Sequence, residues 1–386
     1  MFTMHKLSLA FCMLILSVCL NAQNNARLVS PDIQPDNSVI FRIKAPGAYS
    51  VQLVGTFSPG FKPIPMEKKD SGVFEVKIGP LASDMYEYRF ILDSALMPDP
   101  NNNAVTRDGS IVENRLLIPG KLGDLIAAQN VPHGNVTAIW YSSPTLGTER
   151  RMYVYTPPGY ENGKDKYPVL YLLHGGGGDE DGWISRGRAN YIIDNLIASK
   201  QAVPMIVVIT NGNPDAVAAP LDRPLTANKD VPGIGSMASQ RFEKSLVNDV
   251  IPFVEKNFRV IADADHRAIT GFSMGGYQTQ NITNNNPTMF KYIGVMSMGL
   301  FSSFGNNTGN YNKEQHVAQL KAVIAAKPKL YWIGIGKDDF LYKTVTNLKG
   351  LYDEVGLKYT YRESDGSHTW KEWRLYLSEL APKFFK

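Results

Sequence analysis

The chain has 386 residues, long for one domain and comfortable for two. Apolar residues make up 44% and charged residues 20%, the profile of a globular protein with ample core. The formal charge of +4 is small for this length and no stretch is rich in Lys and Arg, which argues against a nucleic-acid partner.

Residues 1–22, within "MFTMHKLSLAFCMLILSVCLNAQ", read as a secretory signal peptide. Lys6 lies in a short start, an apolar run from Leu7 to Leu20 follows, and the small Ala22 marks the cut. The run is shorter than the roughly 20 residues that span a bilayer. Nothing later in the chain resembles a second span, so no membrane span is expected. The alternative is a lipoprotein lipidated at Cys19, against which Val18 is bulky for its position. The expected location is therefore the periplasm or the outside of the cell. Both cysteines, Cys12 and Cys19, fall in this leader. A chain cut after Ala22 has no disulfide, no thiol nucleophile and no Cys-ligated metal.

Residues 23–120 read as a small all-β, Ig-like sandwich. "SVIFRIKAP" (38–46), "SVQLVGTF" (50–57), "GVFEVKIGPL" (72–81) and "MYEYRFILD" (85–93) alternate apolar and polar residues, with turn residues between them. A linker-like stretch over 121–135 follows. From 136 to 386 the pattern changes. Apolar runs such as "YPVLYLLHG", "MIVVITNG", "HRAITGFS", "YIGVMSMG", "LYWIGIG" and "KYTYRES" alternate with amphipathic stretches such as "SQRFEKSLVNDVIPFVEKNF" and "HVAQLKAVIAAK". Buried strands alternating with helices predict an α/β domain with a mostly parallel central sheet. Residues 212–238 lack periodicity, and an unpatterned loop of that length is usually functional or mobile.

"GFSMGG" (271–276) places Ser273 between a predicted strand and a predicted helix. Such a turn lifts a serine hydroxyl clear of the backbone, and the N–H of Met274, at the helix start, faces a developing oxyanion. Ser297 in "VMSMG" is a weaker rival, since it lacks the first glycine and no helix follows it. A serine nucleophile needs a base, usually histidine. Of six histidines, His5 leaves with the leader and His133 lies in the linker. His316 precedes the relevant strand, His266 opens the nucleophile strand at its far end, and His174 sits at the end of a strand, where its glycine neighbours give it another role. His368 in "SDGSHTW", just after the last strand, remains. The carboxylate that orients it is expected after a strand between serine and histidine. "GIGKDDF" offers Asp338 and Asp339, of which only one can point at the imidazole; Asp365 is more simply a turn former. "LLHGGGGDEDGW" (172–183) supplies a glycine run from which a second oxyanion donor can come.

Taken together, "YLLHGGGGDEDGW", "RANYIIDNLI", "HRAITGFSMGG", "GIGKDDF" and "GSHTW" closely resemble the esterase D-like α/β-hydrolases. Within them the chain looks most like the feruloyl esterases of carbohydrate esterase family one. The resemblance implies an α/β-hydrolase fold, Asp339 as the acid, and Gly176 as the oxyanion partner of Met274. It also implies a feruloyl or related hydroxycinnamoyl ester on arabinoxylan as substrate, with no metal and no cofactor. Trp183, or part of the 212–238 stretch, is then expected to line an aromatic pocket. Acetyl-xylan esters, siderophore esters and acyl transfer to a sugar share the same triad. A non-catalytic glycan-binding protein would require a broken triad, and no part is missing. "FRIKAPGAYSVQLVGTF", "GVFEVKIGPL" and "YEYRFILD" resemble the early-set sandwich ahead of glycogen-branching enzymes, related to family 48 carbohydrate-binding modules. All five tryptophans lie beyond this module, with Phe61 and Phe74 where tryptophan is common, so a positioning role is as well supported as sugar binding.

Overall fold

Strands of period two put every second side chain on one face, and the first part of the chain is built from them. A computed structural model describes residues 28–220, 239–300, 302 and 311–386. The proposed leader lies outside these residues. The chain divides into two compact units, one ending at Ala104 and the other running from Val105 to Lys386, with Ser83–Met85 counted in the second.

The first unit pairs β1 (Asp32–Ile33), β2 (Val39–Lys44), β6 (Val73–Ile78) and β5 (Glu67–Lys68) in one sheet. A second joins β4 (Ile64–Pro65), β3 (Val51–Gly55) and β7 (Asp84–Leu92), with β8 (Ala95–Met97) beside β7. Val39, Phe41 and Ile43 alternate inward from β2, as do Val51 and Leu53 from β3. Phe41 meets Tyr88 edge-to-face at 4.8 Å. Phe74 is buried in this core, where it cannot stack on a sugar, while Phe61 is exposed.

The second unit begins with a hairpin of β9 (Val105–Asp108) and β10 (Ile111–Ile118), then α1 (Lys121–Ile126). Its sheet has eight strands in the order β11 (Asn135–Ser143), β12 (Thr148–Thr156), β14 (Ile206–Thr210), β13 (Val169–Leu173), β15 (Arg267–Phe272), β16 (Tyr292–Met296), β17 (Leu330–Gly336) and β18 (Thr360–Ser364). β12 is antiparallel to both of its neighbours, and the remaining pairs are parallel. All five residues of β13 and of β14 are buried, which explains their unbroken apolar runs.

The two sheet faces carry separate cores. Tyr171, Ile269 and Ile333 point toward α4 (Arg241–Ser245), α5 (Ile251–Asn257), α6 (Met274–Asn285), α7 (Lys313–Ala325) and α8 (Tyr342–Val355). Leu170, Leu172 and Ala268 point the other way, toward α3 (Ala189–Ala198) and α9 (Trp370–Leu380). A short α2 (Gly182–Ser185) precedes α3. A π turn at Leu246–Val250 joins α4 to α5, where Pro252 lacks the N–H that an unbroken α-helix would need. This is the α/β-hydrolase fold, preceded by an all-β module.

Candidate active site

The strands β13, β15, β17 and β18 lie in one parallel block, so their carboxyl ends share one edge of the sheet. The four segments singled out in the sequence follow those four ends. Ligands of open α/β sheets bind at this edge.

Ser273 stands between β15 and α6 at φ 52°, ψ −118°, a backbone conformation that L-residues rarely adopt. It is held there by its own N–H, which donates to Met296 O at 2.9 Å, and by Tyr277 N–H, which donates to Ser273 O at 3.0 Å. The glycines around it answer to space. A Cβ on Gly275 would lie 2.6 Å from His174 O, and one on Gly271 would lie 2.6 Å from the Gly275 carbonyl carbon. The helix start therefore packs directly on β13 and β15. Ser297 is buried and accepts a hydrogen bond from Trp373 Nε1 at 3.0 Å, so it is closed to an ester.

His368 Nδ1 stands 2.8 Å from Asp339 Oδ2. Asp339 is 3% exposed, and its other oxygen accepts from Leu341 N–H at 2.8 Å. Its neighbour Asp338 is exposed, and Asp365 is exposed and paired with Lys337 Nζ at 2.7 Å. The loops after β17 and β18 are stitched together: Lys337 N–H donates to Ser364 O at 2.8 Å and Asp338 N–H donates to Gly366 O at 3.0 Å. A side chain at Gly336 would collide with the Gly366 carbonyl, so glycine is needed where the loops cross. Among the described residues the other histidines are engaged elsewhere. His133 meets Asp194, His266 meets Asp263 and His316 meets Tyr311. His174 is buried and accepts from Gly212 N–H at Nε2, 2.7 Å, which leaves its Nδ1 as the donor to Gly175 O. Its role is to hold two loops together.

The imidazole of His368 is linked to the serine elbow through aromatic rings. Its ring centroid lies 5.1 Å from that of Trp373, which stacks on Phe272, the residue before Ser273, at 3.7 Å and 14°. Gly176 lies against the elbow: a Cβ built there would come 3.9 Å from the Met274 Cβ. Met274 opens α6, so its N–H is one of the helix's first four donors, which have no partner within the helix. Gly176 is exposed.

Trp183 does not line a pocket. It is 0% exposed, donates from Nε1 to Leu173 O at 3.0 Å, and packs edge-on to Phe272 and Trp370 at 5.5 and 5.1 Å. It is core beneath the site, because α2 turns its indole back under β13. Of the 212–238 stretch, residues 221–238 lie outside the described residues. The part before them is pinned by Glu180, a buried carboxylate that accepts from Arg151 Nε (3.1 Å), Asn211 Nδ2 (2.9 Å) and Ala219 N–H (2.8 Å). No motif marked Glu180, nor the ion pairs that Asp179 and Asp181 make with Arg107 at 2.5 and 3.1 Å.

Residues 143–384, well over half of the chain, match the family model described as "Putative esterase". The chain belongs to this esterase family. Residues 29–106 match a second one, carbohydrate-binding module 48, the isoamylase N-terminal domain. The chain is similar to the endo-1,4-beta-xylanase/feruloyl esterase of Xylanibacter ruminicola, 31% identical over 95% of this chain and 47% of that protein. It spans about half the length of the curated relatives it matches, 47% and 55% of the first two. Among solved structures, a ferulic acid esterase is 27% identical with a TM-score of 0.51, covering 65% of this chain and 98% of that one. The enterobactin esterase of Shigella flexneri has a TM-score of 0.65 at 16% identity, covering 90% of this chain and 92% of that one. At that identity the likeness concerns fold alone.

Proposed function

We propose that this esterase is a serine carboxylesterase that hydrolyses hydroxycinnamoyl esters, feruloyl esters of arabinoxylan above all, through an acyl-enzyme. The observation that carries the chemistry is the 2.8 Å contact of His368 Nδ1 with buried Asp339, beside the strained Ser273 elbow. The substrate reading is supported by the two relatives that act on feruloyl esters.

In this reading Ser273 Oγ attacks the ester carbonyl while His368 Nε2 takes its proton, and the carbonyl π pair moves onto oxygen. The N–H groups of Gly176 and Met274 hold that oxyanion. Asp339 fixes the Nδ1–H tautomer and stabilises the imidazolium. Collapse breaks the bond to the sugar oxygen, which leaves with the proton from His368. Water, deprotonated by His368, then attacks the acyl carbon; the acyl–Oγ bond breaks, Ser273 Oγ takes the proton back from His368, and the acid leaves.

Purified Ser273→Ala should lose ferulate release from arabinoxylan and methyl ferulate while keeping its fold. Retained turnover in the folded variant would sink the assignment. A panel adding acetylated xylan and a catecholate siderophore ester fixes the acyl group. Preference for either over feruloyl esters would replace the substrate reading and leave the triad standing. We further propose export by the leader, supported by the Leu7–Leu20 run after Lys6. A mature N-terminus at Gln23, read by mass spectrometry, is the expected result, and an intact Met1 would refute it.

A further inference from the structure

Arg107 and Asp108 end β9 and Gly109 opens the turn to β10; all three lie outside both family matches, one of which ends at 106 while the other begins at 143. They contact the loop of Gly176 at three points. The Arg107 guanidinium forks Asp179, Nη1 to Oδ2 at 2.5 Å and Nη2 to Oδ1 at 3.0 Å, and reaches Asp181 Oδ2 from Nε at 3.1 Å. Its backbone N–H donates to Ser185 Oγ at 2.7 Å. Asp108 Oδ1 is buried against Gly178 and Gly182, where Cβ atoms would come within 2.5 and 3.0 Å of it. Asp108 Oδ2 accepts from Trp370 Nε1 at 2.8 Å, two residues beyond His368. Gly109, at φ +58°, sits so close that a side chain there would collide with Gly177 O.

Four consecutive glycines have more backbone freedom than any other tetrapeptide. An oxyanion donor within them works only if it is already aimed, and a misplacement of about 1 Å costs on the order of 100-fold in rate. The constraint has to come from outside the run, because Gly175–Gly178 carry no side chains of their own. The end of β9 and the turn after it supply it on one side, and Asp108 reaches the start of α9, just after the His368 loop, on the other. We propose that Arg107 and Asp108 are positioning residues for ester hydrolysis: they brace the glycine loop so that Gly176 N–H stays aimed at the oxyanion. This rests on the serine-esterase reading above.

The test compares Arg107→Ala, Arg107→Lys and Gly109→Ala with the parent, on methyl ferulate and in the rate of inactivation by a fluorophosphonate, whose phosphoryl oxygen needs the same donors. Arg107→Ala should lower kcat and the inactivation rate together, by about 10- to 100-fold, with KM within about threefold. Arg107→Lys, which keeps the charge but not the fork, should fall between. Near-UV circular dichroism identifies the folded fraction. Parent-like kcat in folded Arg107→Ala, with only a lower Tm, overturns the proposal. If Arg107→Ala does not fold, Arg107→Lys and Gly109→Ala decide: parent-like kcat and inactivation rate in both overturn it. Ser273→Ala is run alongside. Its activity tests the esterase reading separately, so an inert Ser273→Ala beside parent-like Arg107 variants rejects the brace alone.

Discussion

Asp339 Oδ2 lies 2.8 Å from His368 Nδ1, across the ends of two adjacent parallel strands, with the carboxylate side chain buried and the imidazole 16% exposed. A carboxylate in that place is shielded from water and satisfied by Leu341 N–H on its other oxygen. It therefore holds one ring nitrogen of His368 in place.

Asp339→Asn should lower kcat by about 10³- to 10⁴-fold on methyl ferulate, because the amide favours the wrong imidazole tautomer. Asp338→Asn should stay close to the parent, since Asp338 is exposed. The reverse ranking in steady-state kinetics would exchange the two roles.

Gly275→Ala should disable the enzyme through packing. The added Cβ would meet the carbonyl oxygens of His174 and Leu173 at 2.6 and 2.8 Å, and both belong to the strand end that supports the glycine loop. Overpacking of this kind costs about 1–3 kcal/mol. Urea unfolding should show the loss, and folded protein should show reduced kcat.

Trp183→Phe should cost stability and spare KM. The ring keeps its contacts with Phe272 and Trp370 but loses the donor to Leu173 O, which is then buried without that partner, at about 1–3 kcal/mol. A raised KM for feruloyl substrates at unchanged stability would contradict its place in the core.

Glu243→Gln should stabilise the protein at neutral pH. Glu243 is 5% exposed on α4, and burial pushes its carboxyl up from the usual range, with the hydrogen bond from Asn281 Nδ2 opposing. The folded state therefore keeps this proton to higher pH than the unfolded chain does. The stability it contributes is present at low pH and is lost as pH rises through the folded pKa. The Tm gain of Glu243→Gln over the parent should thus grow between about pH 4 and about pH 7. A gain that shrank over that interval would reverse the sign of the argument.

The sequence by itself determined the fold class and the order of the functional segments. Each of those segments follows an apolar run, and apolar runs alternating with amphipathic ones can only be buried as a sheet between helices. It also isolated Ser273 and His368, because their turn residues and chain order leave few competitors. In the eight-stranded sheet, β11 escaped that reading. Among the described residues it is an edge strand paired only with β12, and most of its residues are exposed or half-buried, so no apolar run announces it.

What only the tertiary structure decided are the matters of facing. Asp338 and Asp339 are adjacent and chemically identical, and burial alone separates them. Trp183 looks like a pocket residue until its indole is seen turned under β13 and hydrogen-bonded there. Arg107 and Asp108 are two ordinary charges at the end of a short strand. Their partners Asp179 and Trp370 lie 72 and 262 positions further on, and no local pattern records a contact that the chain closes only when it folds.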